Sequence, residues 1–233
     1  MRSSEPSQIT LIPDLNVDSV RNSGVCAAEF CKWLVLYEFD ERIGTLMTRA
    51  AKQGMDLASC IDSGQLRLRQ VDPAELSPGE FTVMLRREVE TEGVRLVVID
   101  SLSGFEAAMP QENQLILQMH ELLAYLNHQG VMTLLLNPQH ALIESTIADV
   151  SVSYIADTVL LMRFFEAAGR IRKALAVLKN RGGPHETTIR ELVIDHAGLR
   201  IGEPLTEFDG VLTGTPIYRG HAAPLLGERP PDA

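Results

Sequence analysis

Three short apolar runs, each ending in a polar residue, do most to restrict what this chain can fold into. Trp33–Phe39 (WLVLYEF), Arg95–Asp100 (RLVVID) and Val131–Asn137 (VMTLLLN) lack the alternation of a strand with one wet face. Strands of this kind are buried on both sides, so other elements must cover each face. Segments of helical period lie between them. Arg42–Gln53 sets Ile43, Leu46, Met47 and Ala50 on one side and stops at Gly54. Ser77-Pro78-Gly79-Glu80 has capping-box spacing with proline in the first turn, and predicts a helix to about Glu92, ended by Gly93. Glu112–Gln129 predicts a long helix ended by Gly130, and Gln65–Val71 (QLRLRQV) alternates at period two. Repeated strand–helix units of this order predict an α/β fold: a doubly wound, mainly parallel sheet with helices on both faces.

After residue 154 the pattern changes. Ala156–Phe165, Ile171–Lys179 and Thr187–Asp195 follow one another with glycine-containing turns, which predicts antiparallel C-terminal strands appended to the parallel sheet. The tail after Gly220, HAAPLLGERPPDA, is proline-rich and predicted to be disordered. A chain of 233 residues buries roughly 70% of its unfolded surface, so it needs no disulfide or metal staple. Cys26, Cys31 and Cys60 are too few and too irregular for either, and read as free thiols in a reducing cytosol. The net charge of −10 argues against a general nucleic-acid coat or an anionic membrane surface. No apolar run reaches about 18 residues and the N-terminus lacks a signal-peptide core, so a cytoplasmic protein is expected.

Ligands of a doubly wound sheet sit at the carboxyl ends of its strands. Asp40-Glu41 follows the first run, Asp100-Ser101 ends the second, and Asn137-Pro138-Gln139-His140 follows the third. RLVVIDS has the form of a Walker B strand, which delivers one carboxylate to hold magnesium through water. A helix-capping Asp reads equally well. Asp40-Glu41 suits a base that orients a water, or else a helix N-terminus that favours acids. Gln139-His140 suits a ligand-facing polar pair or a simple turn. Lys179-Asn180-Arg181-Gly182-Gly183-Pro184-His185 groups two cations and an imidazole beside flexible glycines; it suits a phosphate-bearing ligand or a solvated loop. His120, His128 and His196 read as surface or capping residues, and the eight methionines as core packing.

The stretch from Tyr37 to Pro216 resembles the ATPase domain of the KaiC family, a branch of RecA-like P-loop proteins. The matching text is FDER…AAKQGMDL (39–57), LSPGEF (76–81), RLVVIDSLSGFE (95–106), SYIADTVLLMRFFEAAGRIRKALAVLKNRGGPHETTIRE (153–191) and GEPLTEFDGVLTGTP (202–216). The resemblance implies a RecA-like fold, ATP and Mg2+ as cofactors, and hexameric rings with ATP at subunit interfaces. It places Asp40-Glu41 on the family's acidic pair, the second acting as base toward water; here the first of the pair is Asp, not Glu. It places Asp100 on the Walker B carboxylate. Folds of the RecA type often place a polar sensor of the γ-phosphate at a strand end such as the one that carries Gln139-His140. Lys179, Arg181 and His185 fall on a K-x-R-x-x-x-H segment that reaches the phosphates of a neighbouring subunit, an arginine finger in trans. Clock-type members carry adjacent Ser and Thr phosphorylation sites before an Asp-Thr pair. This chain has Ser153-Tyr154 before Asp157-Thr158, which leaves Ser153 as the one remaining acceptor.

One part of the pattern is absent. No G-x-x-x-x-G-K-[ST] occurs, and no glycine is followed by lysine. A P-loop curls backbone N–H groups around phosphates, pairs their charge with its lysine, and completes magnesium coordination with its hydroxyl. Here Ile9–Ile12 (ITLI) stands at the family's first strand, followed by PDLNVDSVRNSGVCAAEFCKW. Residues 1–32 therefore read as a degenerate or truncated first strand and P-loop region, 33–217 as the KaiC-like domain, and 218–233 as a disordered tail. Two functions compete: an ATPase impaired in cis, with a possible Ser/Thr autokinase activity in signalling, and a non-enzymatic pseudo-ATPase subunit that binds partners or completes a neighbour's site in trans. A homo- or hetero-oligomer is expected under both. A RecA-type strand-exchange protein is disfavoured, because no aromatic-and-basic DNA loop is visible.

Overall fold

The computed structural model describes residues 9–12, 34–72, 74–102, 112–138, 155–195, 198–213 and 216–220, with side chains left undescribed at 9–12 and 112–116. Its frame is a nine-stranded sheet. The parallel part is built from β1 (Ile9–Ile12), β2 (Leu34–Glu38), β3 (Leu66–Gln70), β4 (Leu96–Asp100), β5 (Met132–Leu136) and the start of β6 (Thr158–Ala167). β7 (Arg170–Asn180), β8 (Arg190–Asp195) and β9 (Gly198–Pro204) continue it antiparallel. The strand order is β3-β2-β4-β5-β1-β6-β7-β8-β9. This is the predicted RecA-like α/β architecture, and ITLI forms a strand between β5 and β6.

Among the described residues four helices cover the parallel strands: α1 (Ile43–Lys52), α2 (Leu57–Asp62), α3 (Pro78–Glu92) and α4 (Glu112–His128). Period two along the strands divides the core. Val35, Tyr37, Val97, Ile99 and Leu135 pack against Phe81, Leu85 and Val89 of α3 and Met119, Leu122 and Leu126 of α4. Leu36, Leu96, Val98 and Leu134 pack against Leu46 and Ala50 of α1 and Leu57 of α2 on the other face. Each large side chain so buried contributes roughly 1.5–3 kcal/mol, which explains why the runs carry no alternation.

Helix ends follow the sequence signals. Ser77 Oγ accepts from the Glu80 N–H, Glu80 Oε2 accepts from the Ser77 N–H at 2.9 Å, and Pro78 opens the helix. Gly93 closes it at φ 71°, a left-handed conformation that a side chain disfavours. The short helix α2 is unanticipated by periodicity; Asp56 caps it by accepting from the Ser59 N–H at 3.1 Å. β9 and a two-stranded ribbon, β10 (Phe208–Asp209) with β11 (Ile217–Tyr218), are also additions to the sequence reading. The ribbon joins a small third core in which Phe165 meets Phe208 edge-on at 5.6 Å. His120 and His128 are exposed, as expected, while His196 lies outside the described residues. Among the described residues no helix is long and apolar enough to cross a membrane.

One buried polar group ties the sheet to α3. The Tyr37 hydroxyl donates to Glu88 Oε2 at 2.8 Å, and Arg69 Nε donates to Glu88 Oε1 at 3.0 Å. Glu88 is 6% exposed and Tyr37 fully buried. Burial first, then the Glu88 charge, raises the Tyr37 pKa, so the phenol stays a donor. Tyr37→Phe should destabilise the protein by about 1.5–3 kcal/mol, the range for a hydrogen bond to a charged group. Urea unfolding monitored by circular dichroism checks this; an unchanged midpoint would show that the hydroxyl contributes nothing.

Candidate functional site

β2 and β4 lie side by side in register, from Leu34 opposite Leu96 to Glu38 opposite Asp100. Their carboxyl ends therefore open at the same place. The Phe39 N–H donates to the Asp100 carbonyl at 2.6 Å and holds the two chains together one residue further. Beyond it Asp40 is exposed and Glu41 half-buried. The Ser101 hydroxyl, fully buried, donates to Asp40 Oδ2. The Asp100–Ser101 peptide bond is cis. Three predicted site residues, Asp40, Glu41 and Asp100, are thus gathered at one strand-end cluster. Glu41 is also engaged by Arg49 of α1 at 2.9 Å.

Sequence reasoning missed the most buried carboxylate of the cluster. Glu38 is 1% exposed. Its Oε1 accepts from the Glu41 N–H at 2.9 Å, and its Oε2 is buried with no hydrogen-bond partner. Burial first, then the Asp100 charge, pushes its pKa up to about 7, against the opposing Glu41 N–H. The signal was visible as a carboxylate inside the otherwise apolar run WLVLYEF. What it lacked was the neighbour, 62 residues further along the chain. Ser101 and Arg49 were likewise missed as partners.

An orphaned carboxylate oxygen beside a second carboxylate suits a hard divalent cation. Among the described residues no group of three or more His, Cys, Asp or Glu is arranged to hold a metal. Magnesium keeps most of its waters and takes one or two protein carboxylates, so a pair of acids here would fit it.

The predicted basic segment stands elsewhere. Lys179 pairs with Val159, which is level with Leu11, Leu135 and, on β4, Ile99. Four strand spacings separate β7 from β4, about 19 Å at the usual interstrand distance. β7 runs opposite to the parallel strands, so Arg181 and His185 continue toward their amino ends. Arg181 forms an ion pair with Asp157 at 3.7 Å and its N–H donates to the Asp157 carbonyl at 2.8 Å. Asn180 Oδ1 accepts from Thr158 Oγ1 at 3.3 Å and from the Gly182 N–H at 3.1 Å, fixing the turn. Burial first, then the Arg181 charge, lowers the Lys179 pKa, with Asp157 opposing. Arg181 is exposed and Lys179 and His185 are half-buried. Lys179 and Arg181 therefore stand about four strands away from the Asp40–Asp100 cluster. Gln139, His140 and Ser153 lie outside the described residues.

A six-stranded parallel sheet with acids at two adjacent strand ends, helices on both faces and an antiparallel extension defines a RecA-like α/β protein. A family model described as "ATPase: KaiC" matches residues 32–206. The chain belongs to the KaiC ATPase family. It is 28% identical over 206 residues to the circadian clock protein KaiC3 of Synechocystis sp., covering 88% of this chain and 40% of that protein. It is 26% identical over 185 residues to the circadian clock oscillator protein KaiC of Thermostichus vulcanus, covering 78% and 35%. The match to the KaiC of Synechococcus elongatus is 24% over 185 residues, covering 78% and 35%. The chain thus spans about two fifths or less of the length of these relatives.

The raised Glu38 pKa sets a pH dependence. Between about 4.5 and 7 the folded carboxyl holds a proton that the unfolded one has lost, so its stability contribution is present at low pH and disappears as pH rises through 7. In chelator-containing buffer, stability should fall by up to about 3 kcal/mol from pH 5 to pH 8, and Glu38→Gln should flatten that slope. Chemical denaturation at a series of pH values measures it; parallel wild-type and variant profiles would contradict it.

Proposed function

We propose that the chain is a KaiC-type ATPase subunit whose site is composite: its strand-end acids serve one subunit interface and its Lys179–His185 segment serves the other. The observation that carries this reading is the separation of acids and cations within one subunit by four strand spacings, with the chain running on from Lys179 toward the amino ends of the parallel strands. A triphosphate needs both kinds of group at once. Two copies, or this chain and a P-loop-bearing relative, supply both.

In this reading Asp100 holds the magnesium of Mg-ATP. ATP supplies the phosphoanhydride that is cleaved. Glu41 orients the attacking water and takes its proton, with Arg49 fixing where its side chain lies. Asp40, held by Ser101, keeps the cluster in place. From the neighbouring subunit, Arg181 and Lys179 stabilise charge on the transferred group, an effect worth about 10³–10⁵ in rate where such fingers are known. Burial and the neighbouring Arg181 charge lower the Lys179 pKa, and an anion bound there would relieve the repulsion between the two cations. His185 and Gln139 are assigned to nucleotide contact by resemblance alone. A cytoplasmic setting and a role in clock-type or related signalling, with Ser153 as a phosphorylation candidate, accompany this reading.

The absence of a G-x-x-x-x-G-K-[ST] segment favours a second reading: a subunit that grips nucleotide poorly and acts chiefly in trans. Each lost charged contact removes about 2–4 kcal/mol of binding or transition-state stabilisation. Complementation separates the two. Glu41→Gln and Arg181→Ala should each abolish magnesium-dependent ATP hydrolysis by the purified protein, and mixing the two inactive variants should restore it. Restoration by an intact relative, but not by mixing, selects the trans-only subunit. Hydrolysis that survives both substitutions would remove the composite site altogether.

A further inference from the structure

We propose that Glu38 is a direct ligand of the divalent cation, sharing it with Asp100 across the β2–β4 pair. Register places the two residues directly opposite each other on adjacent strands, about 4.8 Å apart in the sheet. Period two then fixes their direction. Leu36 and Val98, opposed two residues earlier, both enter the apolar cluster under α1, so Glu38 and Asp100 leave the sheet on that same side.

No recorded cation among the described residues neutralises Glu38. Among the described residues it has no lysine or arginine partner; the Glu41 N–H occupies one oxygen, and the other is buried and unpaired. A buried carboxylate oxygen without a partner is costly, and a second carboxylate opposite makes it more so. A cation between them satisfies the orphan oxygen and offsets the repulsion in one step. It also supplies a reason for an acid in a strand otherwise built of apolar residues. In a P-loop protein a Ser or Thr hydroxyl completes the magnesium shell. This sequence lacks that segment, and a second carboxylate is a stronger donor that needs no loop to carry it. Magnesium accepts such a pair and fills its other positions with water and phosphate oxygens.

The inference deepens the ATPase reading, since the cation is the one that accompanies the nucleotide, and its test needs no nucleotide. Mn2+ alone is titrated into the 233-residue protein, and free Mn2+ is read by electron paramagnetic resonance. Wild type should take up the ion, and Glu38→Gln and Asp100→Asn should each weaken uptake on the order of 10–100-fold. In chelator, Glu38→Gln should melt cooperatively at or above the wild-type temperature, which shows that lost binding is not lost folding. Should the glutamine variant fail to melt cooperatively, Glu38→Ser is read in its place. Equal uptake by wild type and variant, or no uptake by wild type at millimolar Mn2+, overturns the assignment. Glu38-dependent uptake without ATP hydrolysis would leave this ligand standing and remove the ATPase reading. Hydrolysis with Glu38-independent uptake would do the reverse.

Discussion

Parallel pairing of β2 with β4 is the constraint on which the rest depends. Five register pairs, Leu34–Leu96 to Glu38–Asp100, lock two strands that are 62 residues apart in sequence. Both strands are covered on both faces, so a slip of one residue would drive Tyr37 and Ile99 toward the helices that cover Leu36 and Val98. The apolar interior thereby dictates where the strand-end carboxylates stand. Their closeness costs free energy, and the core around them supplies it. Tyr37, one residue before Glu38, is held by Glu88 and edge-stacked on Phe81 at 4.9 Å, so the last turn of β2 has little freedom to move its acids apart.

Much of this architecture is legible in the sequence because burial on two faces erases alternation. WLVLYEF, RLVVID and VMTLLLN each became a parallel strand of five residues, and the Ser77 capping box placed the start of α3. The failures have physical causes too. The helix α2 has six residues, too few for a period to show, and rests on a single Asp56 cap and the burial of Leu57. The strands of the ribbon have two residues each and persist through contacts of Phe208 with Phe165 and Tyr218, which no local pattern announces. Strand-end logic identified Asp40, Glu41 and Asp100 as neighbours, since it needs only polarity at the ends of buried runs. Glu38 escaped because its meaning comes from register and not from composition.

The same logic explains why the basic segment could be recognised and yet not placed. Lys179, Arg181 and His185 stand together in sequence, but their level in the sheet follows from a chain of pairings through β6, β1 and β5. Those pairings send the segment toward the amino ends of the parallel strands while Asp40 and Glu41 continue past the carboxyl ends. The Asp157 ion pair and the Asn180 turn hold the segment in that direction. Exposed ion pairs of this type contribute little to stability, on the order of 0–1 kcal/mol, so Arg181 can exchange Asp157 for a stronger anion at small cost.

Electrostatics then restricts how such a subunit can work. The parallel sheet end gathers carboxylates, and Arg49 engages Glu41 there. A triphosphate brought to that end would meet like charge unless a metal and foreign cations came with it. In the proposed site, two carboxylates on adjacent strands would recruit the metal and a strand end on another molecule would supply the cations. The chain's overall charge of −10 reinforces the point: compensation must be local and delivered, because the background field is repulsive. An acid cluster and a cation segment held apart within one sheet are what the proposed composite site would bring together between subunits.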